Sequence, residues 1–382
     1  MEISDKEYLN KNDKKKNTLD LKNINTILKT NYIDNSKKVK IYYYFYILRI
    51  ISSFAVVLIH VTAEFFYQLD INSFDYKIIF FYNGLSRFAV PIFYMISGTL
   101  FLSRDISYKT MYSKYTKKLL IHLLIWSFIY SISNIKLSLQ NIELIFIEFI
   151  NSHYHLKFLL SLIGLYILVP FLREITKKEE LLTIFIILSF IFTFLFPNFN
   201  ILLSYFSKEY FNRLDSIYKF LNLNYISGNV FYFMFGYYLN IKDISFYQKI
   251  FIYIFGLFGA YYTTGISHKI GLRRKEKFHC FYPLCLNIAA YTTSVFIFIK
   301  NQFDNKNYDG KMNLIKFISN NTFGIYLVHP LILDNIRQFI IYKIAFIKIL
   351  FRIPIITFII YLSSLFIVII IKKNPLISQW LF

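Results

Sequence analysis

Long apolar runs separated by short polar and mostly basic segments fill the chain from residue 41 to 373. About 20 apolar residues at ~1.5 Å rise cross a hydrocarbon core of roughly 30 Å. On that measure the pattern predicts spans at about 42–64, 78–102, 119–135, 154–172, 181–197, 226–240, 248–266, 280–299, 315–335 and 345–371. The apolar stretch 142–151 is too short to cross and reads as an interfacial or re-entrant piece. Pro197 closes the fifth run, and residues 198–225 read as the longest outer loop. The expected fold is all-α: a polytopic transmembrane helical bundle of about ten spans at 41–373, with a polar basic tail at 1–40 and a short C-terminal tail at 374–382.

Composition supports this class. Of 382 residues, 56% are hydrophobic and 21% aromatic against 17% charged, too little polar surface for a soluble domain of this size. A net charge of +21 in a soluble protein would suggest nucleic acid. Here Lys and Arg gather between apolar runs, as topology signals do, so no nucleic-acid partner is expected.

Residues 1–40 hold ten lysines against six acidic residues and lack the apolar core of a signal peptide, which reads as a cytoplasmic tail near anionic membrane lipids. The basic segment 104–118 faces an outer loop carrying Asp70, Asp75 and Lys77, so both termini are expected in the cytoplasm. The loop at 267–279, SHKIGLRRKEKFH, falls outside by alternation despite its charge, and is kept there because the rule is statistical. Cys280 and Cys285 form neither a disulfide framework nor a metal site, and no metal is expected.

The charges within the first span are the puzzle. Arg49 and His60 are eleven residues apart, three turns plus roughly 20°, so they share one helix face about 16 Å apart, with Glu64 one turn beyond. Charges in lipid cost several kcal/mol each, so this stripe must face protein or water. As function, His60 is a general base toward a hydroxyl and Arg49 holds a phosphate-bearing donor. As structure, a membrane histidine only hydrogen-bonds a neighbouring helix.

Arg87 lies about nine residues into the second span, before the kinking Pro91. It is either functional or the structural partner of Glu64 or Glu148. Ser97-Gly98 reads as a close helix contact rather than a nucleophile. At the outer end of the fourth span stand His153, Tyr154, His155 and Lys157, suited to sugar hydroxyls or a diphosphate and equally to snorkelling at the interface. On a helix, His153 and His155 would diverge by about 200° and not share a metal. His329, with Tyr326 one turn back, forms a wall of the same cavity or a packed core histidine, and His122 reads as structural.

Five blocks carry a resemblance: Arg49, ten residues and His60; RFAVPIFYMISG at 87–98; HLKFLLSLIGLYILVPFLR at 155–173; SGNVFYFMFGYYLN at 227–240; and NNTFGIYLVHPLIL at 320–333. Together they resemble the acyltransferase-3 family of integral-membrane O-acyltransferases. The resemblance implies transfer of an acyl group, usually acetyl, from cytosolic acyl-CoA to a hydroxyl of a cell-surface or lipid-linked glycan at the bacterial cytoplasmic (inner) membrane. No bound cofactor is implied, because acetyl-CoA is the donor substrate.

The family's functional arginine and histidine carry over onto Arg49 and His60, and its second-helix arginine onto Arg87. The expected substrate-binding set is Glu64, His155, Lys157, Tyr166, Tyr326 and His329. The family usually has tryptophan where this chain has Lys157, so a cation there would meet an acidic glycan or diphosphate instead of stacking on a sugar. The rival reading is a glycan or glycolipid transporter or export component whose charges line a passage, and the repeated halves typical of transporters are not found in the sequence.

Overall fold

The computed structural model describes residues 31–33, 39–41, 43–66, 68–135, 141–204, 206–266, 283–304, 312–339 and 346–382. The basic loop at 267–279, Cys280 and residues 1–30 of the tail lie outside the described residues. A short antiparallel pair, β1 (Asn31–Ile33) and β2 (Val39–Ile41), precedes the helices.

The helices are α1 (Tyr43–Ala63), α2 (Phe74–Leu85), α3 (Ala89–Leu102), α4 (Lys117–Asn134), α5 (Ile142–Asn151), α6 (Lys157–Thr176), α7 (Glu179–Phe190) and α8 (Phe196–Ser204). They continue as α9 (Lys208–Phe220), α10 (Asn229–Ile241), α11 (Phe246–Tyr261), α12 (Leu286–Phe303), α13 (Asn313–Ser319), α14 (Thr322–Gln338), α15 (Ile349–Lys372) and α16 (Pro375–Leu381). Among the described residues, five runs are long and apolar enough to cross a membrane: Tyr43–Ala63, Phe74–Leu102, Ile142–Thr176, Glu179–Asn200 and Ile349–Lys372. Large apolar side chains such as Phe171, Leu257 and Phe366 are exposed on these helices and their neighbours, as a lipid-facing surface requires.

α1 is the central element, packed against α2, α3, α12, α13, α14 and α15. It buries Tyr44, Phe45, Leu48, Val57 and Val61, while Arg49 and His60 are only half-buried and face an opening among the helices. α3 and α10 cross with their backbones in contact. A Cβ on Gly98 would strike the backbone of Phe233, and one on Gly236 would strike the backbone of Met95. The Ser97-Gly98 pair is thus a packing point, as small residues at membrane helix crossings are.

Several expected spans are interrupted. The run at 78–102 breaks at Ser86–Phe88, where the Ser86 hydroxyl donates to Tyr82 O at 2.9 Å, the Ser86 N–H turns back to Asn83 O and the Arg87 N–H to Gly84 O. Arg87 therefore sits on a turn between two helices rather than within one. Pro91 occupies the first turn of α3, where its missing N–H has no helical partner to lose.

The run at 315–335 breaks at Asn320–Asn321, and Lys372 Nζ donates there to Asn320 O at 3.2 Å and Asn321 Oδ1 at 2.8 Å. Residues 198–225 are mostly helical rather than a loop. The helix passes Pro197 because a π-helical turn, Ile191–Leu195, shifts the ladder there. In that i−5 register Pro197 would face the Phe192 carbonyl, which instead accepts from Tyr218 Oη of α9 at 3.0 Å. The tail at 374–382 is also helical: α16 lies against α4, with Trp126 Nε1 donating to Leu381 O at 2.9 Å.

Candidate active site

A cavity of about 650 Å³ runs along α1 from Arg49 to His60. The spacing that puts both on one helix face opens them to one space, and α3, α4, α6, α14 and α15 supply most of the remaining wall. Arg104, Lys118, His122 and Lys372 line it with Arg49, whereas Arg87, Tyr154, His155, Lys157 and Asn229 line it with His60. Phe93, Phe101, Phe158, Tyr166 and Tyr326 line its middle.

Six cationic side chains thus reach one cavity, and among the described residues lining it there is no Asp or Glu. Arg49 has no ion-pair or hydrogen-bond partner among the described residues. The arrangement favours an elongated ligand with anionic groups at the Arg49 end.

Arg87 is held by a residue that sequence reasoning missed. Its Nε donates to Asn83 Oδ1 at 2.8 Å, and a second guanidinium nitrogen reaches the same oxygen. Asn83 is fully buried and its amide donates to Thr62 Oγ1 at 2.7 Å and Ile59 O at 3.2 Å, the turn of α1 that carries His60. The side chain of Asn83 thus fixes the guanidinium against the helix of the histidine. Asn229, also missed, donates to Ser161 Oγ at 2.9 Å and to Tyr94 Oη at 3.3 Å across the same wall.

Four histidines gather at the far end of α1. The His60 ring lies 5.1 Å from that of Tyr154 and 5.2 Å from that of His329. His329 is fully buried, donates from Nδ1 to Ile325 O at 3.0 Å, and sits behind His60 rather than among the described lining residues.

The expected divergence of His153 and His155 is overturned. Ser152 takes a positive φ of 56° and Tyr154–Leu156 forms a 3-10 turn, so the two rings are not on an α-helix and converge with their Nδ1 atoms 2.6 Å apart. Among the described residues no group of three or more His, Cys, Asp or Glu is arranged to hold a metal.

Of the remaining expected residues, Lys157, Tyr166 and Tyr326 line the cavity, and Tyr326 Oη donates to His155 O at 2.6 Å. Glu64 is not among the described lining residues. Its carboxylate pairs with Arg337 Nε at 2.6 Å, and Arg337 in turn meets Asp334 at 2.8 Å. His122 bonds from Nδ1 to Trp380 O at 2.9 Å while also lining the Arg49 end.

A family model described as an acyltransferase domain matches residues 42–373, nearly all of the chain. The chain belongs to the acyltransferase-3 family. Neither a curated protein nor a solved structure matches it. Membership makes this a membrane acyltransferase, with an acyl donor and an acceptor as its substrates. The match runs from one residue before α1 to one residue after α15, so it contains the whole cavity except Phe382 of the α16 segment.

Proposed function

We propose that the protein is an O-acyltransferase that moves an acyl group, in the first instance acetyl, from cytosolic acyl-CoA to a hydroxyl of a cell-surface or lipid-linked glycan. It works in the bacterial cytoplasmic membrane with about ten spans and both termini in the cytoplasm. The observation that carries this reading is the single cavity joining Arg49 to His60, with cations and histidines on its wall and no carboxylate among its described lining residues.

The donor enters at the Arg49 end, where Arg49, Arg104, Lys118 and Lys372 attract its phosphates. Its pantetheine arm runs past Tyr166 and the aromatic middle, bringing the thioester to His60. There His60 acts as general base toward the acceptor hydroxyl, or as a nucleophile that carries the acyl group between donor and acceptor. Arg87, fixed by Asn83, stabilises the oxyanion or orients His60. The glycan meets His155, Lys157 and Tyr326 at the other end, and Lys157 suits an acceptor bearing a carboxylate or phosphate. Glu64 and His329 support this end through Arg337 and the His60 ring.

The test is acyl-ester content of surface glycan in cells expressing wild type, His60→Ala and Arg49→Ala at equal membrane levels. Loss of esters in both variants with glycan amount unchanged is the expected result. Persistent esters together with reduced glycan export would replace this reading with the transporter.

A further inference from the structure

His155 is 5% exposed and lines the cavity, and its Nε2 has no hydrogen-bond partner among the described residues. Whether that nitrogen carries a hydrogen follows from a chain of contacts behind it. Asp334 Oδ2 lies 3.5 Å from His153 Nε2, and a carboxylate beside an imidazole nitrogen keeps the hydrogen there. His153 Nδ1 is then a bare acceptor, 2.6 Å from His155 Nδ1. Two ring nitrogens at that distance pair as donor and acceptor, so His155 carries its hydrogen on Nδ1 and its Nε2 is a lone pair.

Tyr130 stacks on His153 with ring centroids 4.3 Å apart, and Tyr326 anchors the His155 carbonyl, so the rings are held in place. His329 Nε2 is also buried and unpartnered among the described residues, but His329 is not among the described residues lining the cavity.

We infer that His155 Nε2, rather than His60, is the base that accepts the proton of the acceptor hydroxyl, and that His153 and Asp334 are positioning residues that hold it in the required tautomer. The inference rests on the acyl-transfer reading. In the step, the hydroxyl proton passes to Nε2 as the acceptor oxygen bonds to the acyl carbon. The bond from that carbon to its leaving atom, the donor sulfur or the ring nitrogen of an acylated His60, breaks with its electron pair on the leaving atom. That atom then receives the proton from His155. A base separate from His60 keeps the second step available when His60 itself holds the acyl group.

The groups facing His155 are His153 and Tyr154 on its own segment, His60 from α1, Tyr130 from α4, and Tyr326 and His329 from α14. Asp334 is faced by His153 and Arg337.

The experiment uses membrane vesicles holding the protein and their own glycan, with radiolabelled acetyl-CoA as donor. His155→Gln is expected to slow transfer about 100-fold or more, the scale of a lost general base. Asp334→Asn is expected to lower kcat about tenfold with KM for acetyl-CoA unchanged, and Asp334→Glu to restore most of it.

Transfer within twofold of wild type in both His155→Gln and Asp334→Asn would overturn the relay alone. So would a loss in Asp334→Asn that appears in KM rather than kcat, or that glutamate does not rescue. Wild-type vesicles that acetylate no glycan would overturn the acyl-transfer reading, and the relay with it.

Discussion

Arg87 owes its position to a residue 24 places from its contact on α1, because Asn83 links the guanidinium to the Ile59 carbonyl and to Thr62. Replacing Asn83 with Ala removes the acceptor of two Arg87 guanidinium nitrogens together with the bridge to α1, at roughly 1–3 kcal/mol. We expect Asn83→Ala to unfold at lower temperature in detergent and to transfer acyl groups at least tenfold more slowly, while Asn83→Asp, which keeps the acceptor oxygen, retains more rate. Equal rates in the two variants would detach Arg87 from the chemistry. The Arg49 and His60 stripe was legible in the sequence because helical periodicity alone puts residues eleven apart on one face. The convergence of His153 and His155 was not, because it depends on the backbone leaving the helix at Ser152.

The helices meet through small residues and breaks rather than through uniform apolar faces. Gly98 and Gly236 let α3 and α10 touch backbone to backbone, which brings Tyr94 on one helix within reach of the Asn229 amide on the other. Adding a methyl group at Gly98 forces the pair apart, at about 1–3 kcal/mol for overpacking. Gly98→Ala is therefore expected to melt several degrees below wild type, whereas Gly164→Ala, inside α6 where a Cβ meets nothing within 4 Å, is expected to melt at or slightly above wild type. Matching melting curves for the two would refute the close crossing. Element existence was legible from hydropathy, as the agreement over Tyr43–Ala63 and Ile349–Lys372 shows. The breaks at 86–88 and 320–321 were not, because polar side chains that turn the backbone there lie inside runs whose average hydropathy stays high. Pro197 misled in the opposite direction: its freed carbonyl partner is supplied by Tyr218 from a separate helix.

At the scale of the molecule, the basic 104–118 segment contributes Arg104 and Lys118 to the cavity wall, and the proposed orientation puts that segment in the cytoplasm. In a background without cysteines at 280 and 285, Asn72→Cys is expected to react in intact cells with a membrane-impermeant maleimide. Ser113→Cys is expected to react only after the membrane is opened. The reverse pattern would place the donor entrance on the wrong side for cytosolic acyl-CoA. The cavity itself is a whole-molecule property, since its lining comes from helices spread over residues 49 to 382.

The sequence by itself determined the membrane class, the polar stripe of the first helix and the family, because hydropathy, helical period and motif order are all local properties of the chain. Tertiary structure alone decided that Asn83 holds Arg87, that Glu64 turns to Arg337, and that Asp334, His153 and His155 form one line of contacts. A hydrogen bond has a range of about 3 Å and a strict direction. Its partners are fixed only when turns and close helix crossings have set distant segments side by side.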